Sequence, residues 1–129
     1  VGDIKILHYS DSKLQFESKS HNLINELSDN VPSNEKLKSS KYSHIVTRSI
    51  QGEVKKSMIS YQQFITKEKD ELIICSDGVH SIIDSQTLLF LMNDKASMSF
   101  IDRLNQRLKK EAIDNASLIY ISDFKEYNF

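Results

Sequence analysis

The segment Leu72-Ile73-Ile74-Cys75-Ser76-Asp77-Gly78 constrains the fold more than any other. Four apolar residues in a row form the pattern of a strand covered on both faces. Such a strand needs neighbours on each side and further layers above and below it. Ser-Asp-Gly then ends the run at once, and Gly78 lets the backbone turn tightly. The chain is therefore expected to build a sheet around residues 72–75 and to hold Asp77 at its rigid end. Leu118-Ile119-Tyr120-Ile121 is a second run of this kind, entered through Asp114-Asn115, and is expected to be another central, buried strand.

Periodicity fills in the rest. Val1 to Tyr9 reads as a strand, with Ile4, Ile6 and His8 on one face and Lys5, Leu7 and Tyr9 on the other. Asp11-Ser12 marks a turn, and Leu14-Gln15-Phe16 completes a hairpin. Residues 18–44 are rich in Ser, Asn and Lys and contain the only proline, Pro32. They read as a surface excursion, with short helices expected over 22–27 and 34–38. Ile45-Val46-Thr47 and Ser57 to Phe64 read as strands. Two helices follow. One is capped by Asp84 or Ser85 and runs through Leu88, Leu89, Leu91 and Met92. The other is capped by Ser99, with Asp102 three residues on and a stripe of Phe100, Ile101, Leu104, Leu108 and Ala112.

Composition excludes several classes. The chain has 129 residues, enough for one domain. Seventeen basic and eighteen acidic residues give a net charge of −1, so a nucleic-acid module with a positive excess is not expected. One cysteine rules out a disulfide framework and Cys-rich zinc sites. No apolar run approaches the ~20 residues of a membrane span, and the first residues lack the pattern of a signal peptide. A cytoplasmic protein is expected. The strand-like start without Met predicts a piece of something longer.

Few residues offer chemistry. Asp3, Asp77 and Asp114 each stand at a strand boundary, where a carboxylate is rigidly held and suits Mg²⁺ or Mn²⁺. Taken singly, each reads more simply as part of a turn. Cys75 fails as a phosphatase nucleophile, because C-x₅-R would place arginine where Ser81 stands. An apolar setting also raises a thiol's pKa. His8, His21, His44 and His80 have no metal-ligand spacing, and with three glycines no phosphate-cradling loop exists. Arg48 suits phosphate by type but reads equally as a surface ion pair.

Together these segments resemble the metal-dependent serine/threonine protein phosphatases of the PPM, or type 2C, family. Val1-Gly2-Asp3 is similar to its V-G-D-S-R strand, with Ile4-Lys5 in place of Ser-Arg. Ser20-His21-Asn22-Leu23 resembles the segment around a D-H-S, and His44 to Ile50 resembles N-x-I/V-T-R-A-L/I. Leu72 to Gly78 resembles L-L-L-C-S-D-G, the most specific of the matches. Asp84 to Leu88 resembles an S-D-E-E-I helix start, and Asp114-Asn115-Ala116-Ser117 resembles D-N-I/A-T. Glu111-Ala112-Ile113 stands where glycines usually precede D-N. The D-G-x-G-G-H motif of the family's first half has no counterpart here.

The resemblance implies an α+β fold, the α/β/β/α sandwich with antiparallel sheets flanked by helices. Residues 1–129 would be the second, C-terminal half of one domain, with 18–44 as its flap. It implies two Mn²⁺ or Mg²⁺ ions, with a third as an option, and a bridging hydroxide that attacks phosphoserine or phosphothreonine in proteins. Asp77 and Asp114 would help hold one core ion, and Asp3 with Asp77 a third. Gly78 and Asn115 would support the site, and no catalytic residue is identified in this half. Partners would be a bacterial phosphoprotein and a kinase-signalling protein, with no nucleic acid and no membrane. A non-catalytic phosphatase-like regulatory or binding module is the alternative, favoured by the Ile4-Lys5 and Glu111-Ala112-Ile113 departures. A receiver-like doubly wound domain is disfavoured by the hairpin start and the scarcity of helix in the first 70 residues.

Overall fold

The computed structural model describes residues 2–22, 45–48, 61–94 and 97–124. The chain divides into two units. The first comprises Val1–Ile4 and Lys19–Phe64, and the second Lys5–Ser18 and Ile65–Phe129.

The second unit holds a four-stranded sheet. Its strands are β1 (Lys5–Ser10), β2 (Lys13–Glu17), β3 (Glu71–Cys75) and β4 (Leu118–Ile121). The order is β2-β1-β3-β4, with every pair antiparallel. The β1–β2 hairpin turns on Asp11 and Ser12, both at positive φ (51° and 57°). That backbone matches the right-handed twist of the flanking strands. Three helices follow β3: α1 (Asp77–His80), α2 (Ser85–Asn93) and α3 (Phe100–Glu111). Asp84 caps α2 by accepting from the Thr87 amide at 2.7 Å. Ser99 caps α3 by accepting from the Asp102 amide at 3.2 Å, and its hydroxyl donates to the Asp102 carboxylate at 2.6 Å.

The period-two alternation of the strands sorts their side chains. Leu7, Tyr9, Ile73 and Cys75 join Val79, Ile83, Leu88 and Leu104 in the buried core. Leu118 and Tyr120 pack against this core, and the Tyr120 ring lies 5.1 Å from that of Phe100. The opposite face carries the row Ile6–Ile74–Ile119 and the row Phe16–His8–Leu72–Ile121. His8 is buried there beside Asp70, with Nε2 at 2.8 Å from the carboxylate.

Several expectations change. β3 is central, but β4 is an edge strand among the described residues, and Ile119 is 58% exposed. Among the described residues its apolar run is covered on the core face alone. Ile101, expected in the α3 stripe, is 38% exposed, because the helix turns Leu104 inward instead. Ile45-Val46-Thr47 forms no strand, only an isolated bridge from Val46 to Asn22, and Ile45 and Val46 are exposed. Of the strand expected over 57–64, residues 61–64 are irregular and the rest lie outside the described residues. The same holds for the helix expected over 34–38 and for all of that over 22–27 beyond Asn22. Helix α1 was not expected.

Candidate metal site at the ends of β3 and β4

At Ser76 a strand becomes a helix. Its backbone is still extended (φ −77°, ψ 170°), and it stands at the N-cap position of α1. Its carbonyl accepts from the amides of Val79 at 3.0 Å and His80 at 3.2 Å, closing the single turn of α1. Val79 anchors that turn because its side chain is fully buried in the core. Asp77 is thereby the first residue of a helix tied directly to the central strand. Its Oδ1 accepts from the amide of Gly78 at 2.9 Å.

The chain returns beside this turn after α3. Asp114 Oδ1 accepts from the amide of Asn115 at 2.7 Å, the same local geometry as at Asp77. Three hydrogen bonds then join Ser76 to the segment that leads into β4. The Ser76 amide donates to the Ser117 carbonyl at 3.0 Å, and the Ser117 amide donates to Ser76 Oγ at 3.1 Å. The Ser76 hydroxyl donates to the Asn115 carbonyl at 3.3 Å. Gly78 permits the approach. A Cβ there would lie 2.4 Å from the Asn115 carbonyl oxygen and 2.8 Å from its carbon. The segment carrying Asp114 is therefore laid against the turn carrying Asp77, with only a hydrogen atom's space between.

This arrangement bears on each expected site residue. Asp77, Gly78, Asp114 and Asn115 come to one end of the sheet. In each aspartate one oxygen is held by the next amide, and the other carries no hydrogen bond among the described residues. Such hard oxygen donors suit Mn²⁺ or Mg²⁺ in kind. Two carboxylates would make up only part of a coordination shell, and among the described residues no group of three or more metal-ligating side chains gathers. Asp3 belongs to the first unit, where its carbonyl accepts from the Ser20 hydroxyl at 3.3 Å. Cys75 is buried, and burial pushes its thiol up to about 11, so it is protonated at neutral pH. The role of Ser76 was not read from the sequence. A Ser before Asp-Gly at the end of an apolar run carries a local signal for a cap, but its partner lies 41 residues away.

No protein-family model matches the chain, and no curated protein matches it. Solved structures do. A serine/threonine phosphatase from S. agalactiae superposes with TM-score 0.72 at 18% identity, over 94% of this chain and 51% of that one. The PPM Ser-Thr phosphatase MsPP from Mycobacterium smegmatis, in complex with cacodylate, gives 0.69 at 16% identity, over 95% and 53%. The catalytic domain of the phosphatase PstP, in complex with two manganese ions, gives 0.62 at 15% identity, over 93% and 49%. The fold is that of the PPM phosphatases. The chain spans about half the length of the solved structures it matches.

Proposed function

We propose that this chain is the C-terminal portion of a PPM-type catalytic domain that hydrolyses phosphoserine and phosphothreonine in proteins. The observation that carries the reading is the close apposition of the Asp77 turn and the Asp114 segment, within a fold shared with serine/threonine phosphatases. Ile119, 58% exposed at the end of the row Ile6–Ile74–Ile119, supports the reading of a partial domain, since a second sheet would cover it.

Asp77 and Asp114 are proposed to hold a core Mn²⁺ or Mg²⁺, with Asp3 helping to hold a further one. Such ions, when bound, would supply the chemistry of two-metal hydrolysis, acidifying water and neutralising phosphoryl oxygens. The chain's own residues position the carboxylates. Gly78 and Asn115 set their separation, and the amides of Gly78 and Asn115 orient one oxygen of each. Cys75, buried and with its thiol pushed up to about 11, supplies no nucleophile.

The proposed substrates are phosphoproteins, the signalling counterpart is a protein kinase, and the proposed location is the bacterial cytoplasm. Among the described residues no helix is long and apolar enough to cross a membrane. One observation favours a non-catalytic module instead. Helix α3 runs to Glu111 and is capped by Ala112, where the resemblance expects glycines before Asp114.

The test is phosphopeptide hydrolysis with Mn²⁺, by the 129-residue chain and by the same chain completed with the other half of the domain. The isolated chain should show little or no turnover. The completed protein should be active, and Asp77→Ala or Asp114→Ala should abolish that activity. Robust turnover by the isolated chain would refute the half-domain reading. An inactive completed protein with intact upstream motifs would establish the regulatory one.

A further inference from the structure

Residues Cys75 and Leu118 pair directly across β3 and β4, so Ser76 and Ser117 are the next facing pair. In an antiparallel ladder such a pair exchanges two backbone hydrogen bonds. Only one of the two is present, from the Ser76 amide to the Ser117 carbonyl. The other is missing because the Ser76 carbonyl is already occupied by the amides of Val79 and His80, which start α1. The Ser117 amide is instead accepted by the Ser76 hydroxyl at 3.1 Å. The side chain thus stands in for its own carbonyl. The same hydroxyl passes its proton toward the Asn115 carbonyl at 3.3 Å, one residue beyond Asp114.

From this we infer that Ser76 is a positioning residue, whose hydroxyl fixes the Asp114 segment on the Asp77 turn and so sets the affinity of the pair for a divalent cation. The inference rests on the metal reading proposed above and adds a residue to it. An alanine at 76 removes the only acceptor for the Ser117 amide and the only donor to the Asn115 carbonyl among the described residues. The segment from Asn115 to Ser117 then keeps a single hydrogen bond to Ser76. A threonine keeps the hydroxyl and is well suited to a cap position. Outer groups that orient metal ligands typically change metal affinity by about 10- to 100-fold when removed.

The experiment compares wild type, Ser76→Ala and Ser76→Thr in the completed protein, prepared metal-free. Mn²⁺ alone is titrated and free Mn²⁺ is read by electron paramagnetic resonance. Hydrogen exchange of the Ser117 amide is followed in the metal-free state. Ser76→Ala should weaken Mn²⁺ binding at least about tenfold and expose the Ser117 amide to exchange, while Ser76→Thr restores both. Wild-type Mn²⁺ affinity in Ser76→Ala would overturn the inference. Ser76→Ala that loses affinity together with all exchange protection would overturn it too, since the effect would then be general unfolding. Absence of Mn²⁺ binding by wild type itself would remove the metal reading, and this role of Ser76 with it.

Discussion

Gly78→Ala tests the geometry of the candidate site with the smallest possible change. A Cβ at 78 would meet the Asn115 oxygen at 2.4 Å, its carbon at 2.8 Å and the Ala116 Cα at 3.2 Å, where ordinary contact begins at 3.4 Å. All three atoms are backbone, so no side chain can swing aside. Either α1 or the 114–117 segment must shift by about 1 Å, against the hydrogen bonds from Ser76. Overpacking of this kind costs about 1–3 kcal/mol. Alanine's helix preference offsets less than about 1 kcal/mol of that, because α1 is a single turn. The melting temperature should fall by roughly 3–10 °C, read by thermal unfolding followed by circular dichroism. The Mn²⁺ affinity of the completed protein should fall about tenfold, because the shift separates the two carboxylates. Ser81→Ala, exposed at the end of the same turn, is the control and should change neither. A Gly78→Ala protein with wild-type melting and wild-type Mn²⁺ binding would show that the Asp77 and Asp114 segments are not closely apposed in solution.

Two further expectations concern stability. Leu104 is 2% exposed at the centre of α3's inner face, so Leu104→Ala should cost about 2–5 kcal/mol in urea unfolding; a loss under about 1 kcal/mol would place α3 off the sheet. Asp70 is 2% exposed; burial alone would push its carboxyl up, but the nearby Ser10 hydroxyl and the hydrogen bonds from Lys67 and His8 outweigh this and hold it at about 2, below the ordinary 3.8. The Lys67 amide and His8 Nε2 approach at 2.9 and 2.8 Å, whereas the Ser10 oxygen falls short of full hydrogen-bond geometry. A depressed folded-state value means that the stabilisation is present above about 3.8 and is lost as pH falls through about 2. Asp70→Asn should therefore cost about 1–3 kcal/mol at pH 7 and progressively less between pH 4 and pH 2, measured by urea unfolding across that range. A cost that stays constant over those pH values would show that the carboxylate is not held ionised by these partners.

Much of the second unit was legible because its signals are local. The hairpin follows from alternation around Asp11-Ser12, β3 from an unbroken apolar run, and α2 and α3 from caps followed by a helical stripe. The position of β4 was not legible. Leu118 to Ile121 is as apolar as β3, and an apolar run does not reveal whether its second face is covered within the same chain. Helix α1 was missed because four residues carry no periodicity, and Asp-Gly reads more naturally as a turn. Asp77 and Asp114 were singled out by strand-end position and by resemblance, and the structure brings their segments together. Ser76 escaped notice because its meaning depends on a carbonyl used up by α1 and an amide 41 residues away.

The site's shape and the domain's stability have different sources. The shape is local. Ser76, Gly78 and the two Asx-type contacts fix the Asp77 and Asp114 segments with groups that all lie between residues 76 and 117. None of these contacts uses the face of the sheet that carries Ile6, Ile74 and Ile119. The stability is not local in this sense. Ile119 and Ile121 hold 58% and 38% of their surface in water, on the face that carries Ile6, Leu72 and Ile74. Each such side chain is worth about 1.5–3 kcal/mol when fully buried, so a covering layer has a substantial driving force. If Asp77 and Asp114 hold a cation as proposed, their segments are already apposed in this chain, whereas further ligands would have to be supplied by other groups. On the half-domain reading proposed above, covering this face and completing the coordination shell would be one event, and the isolated chain should show little turnover until both are in place.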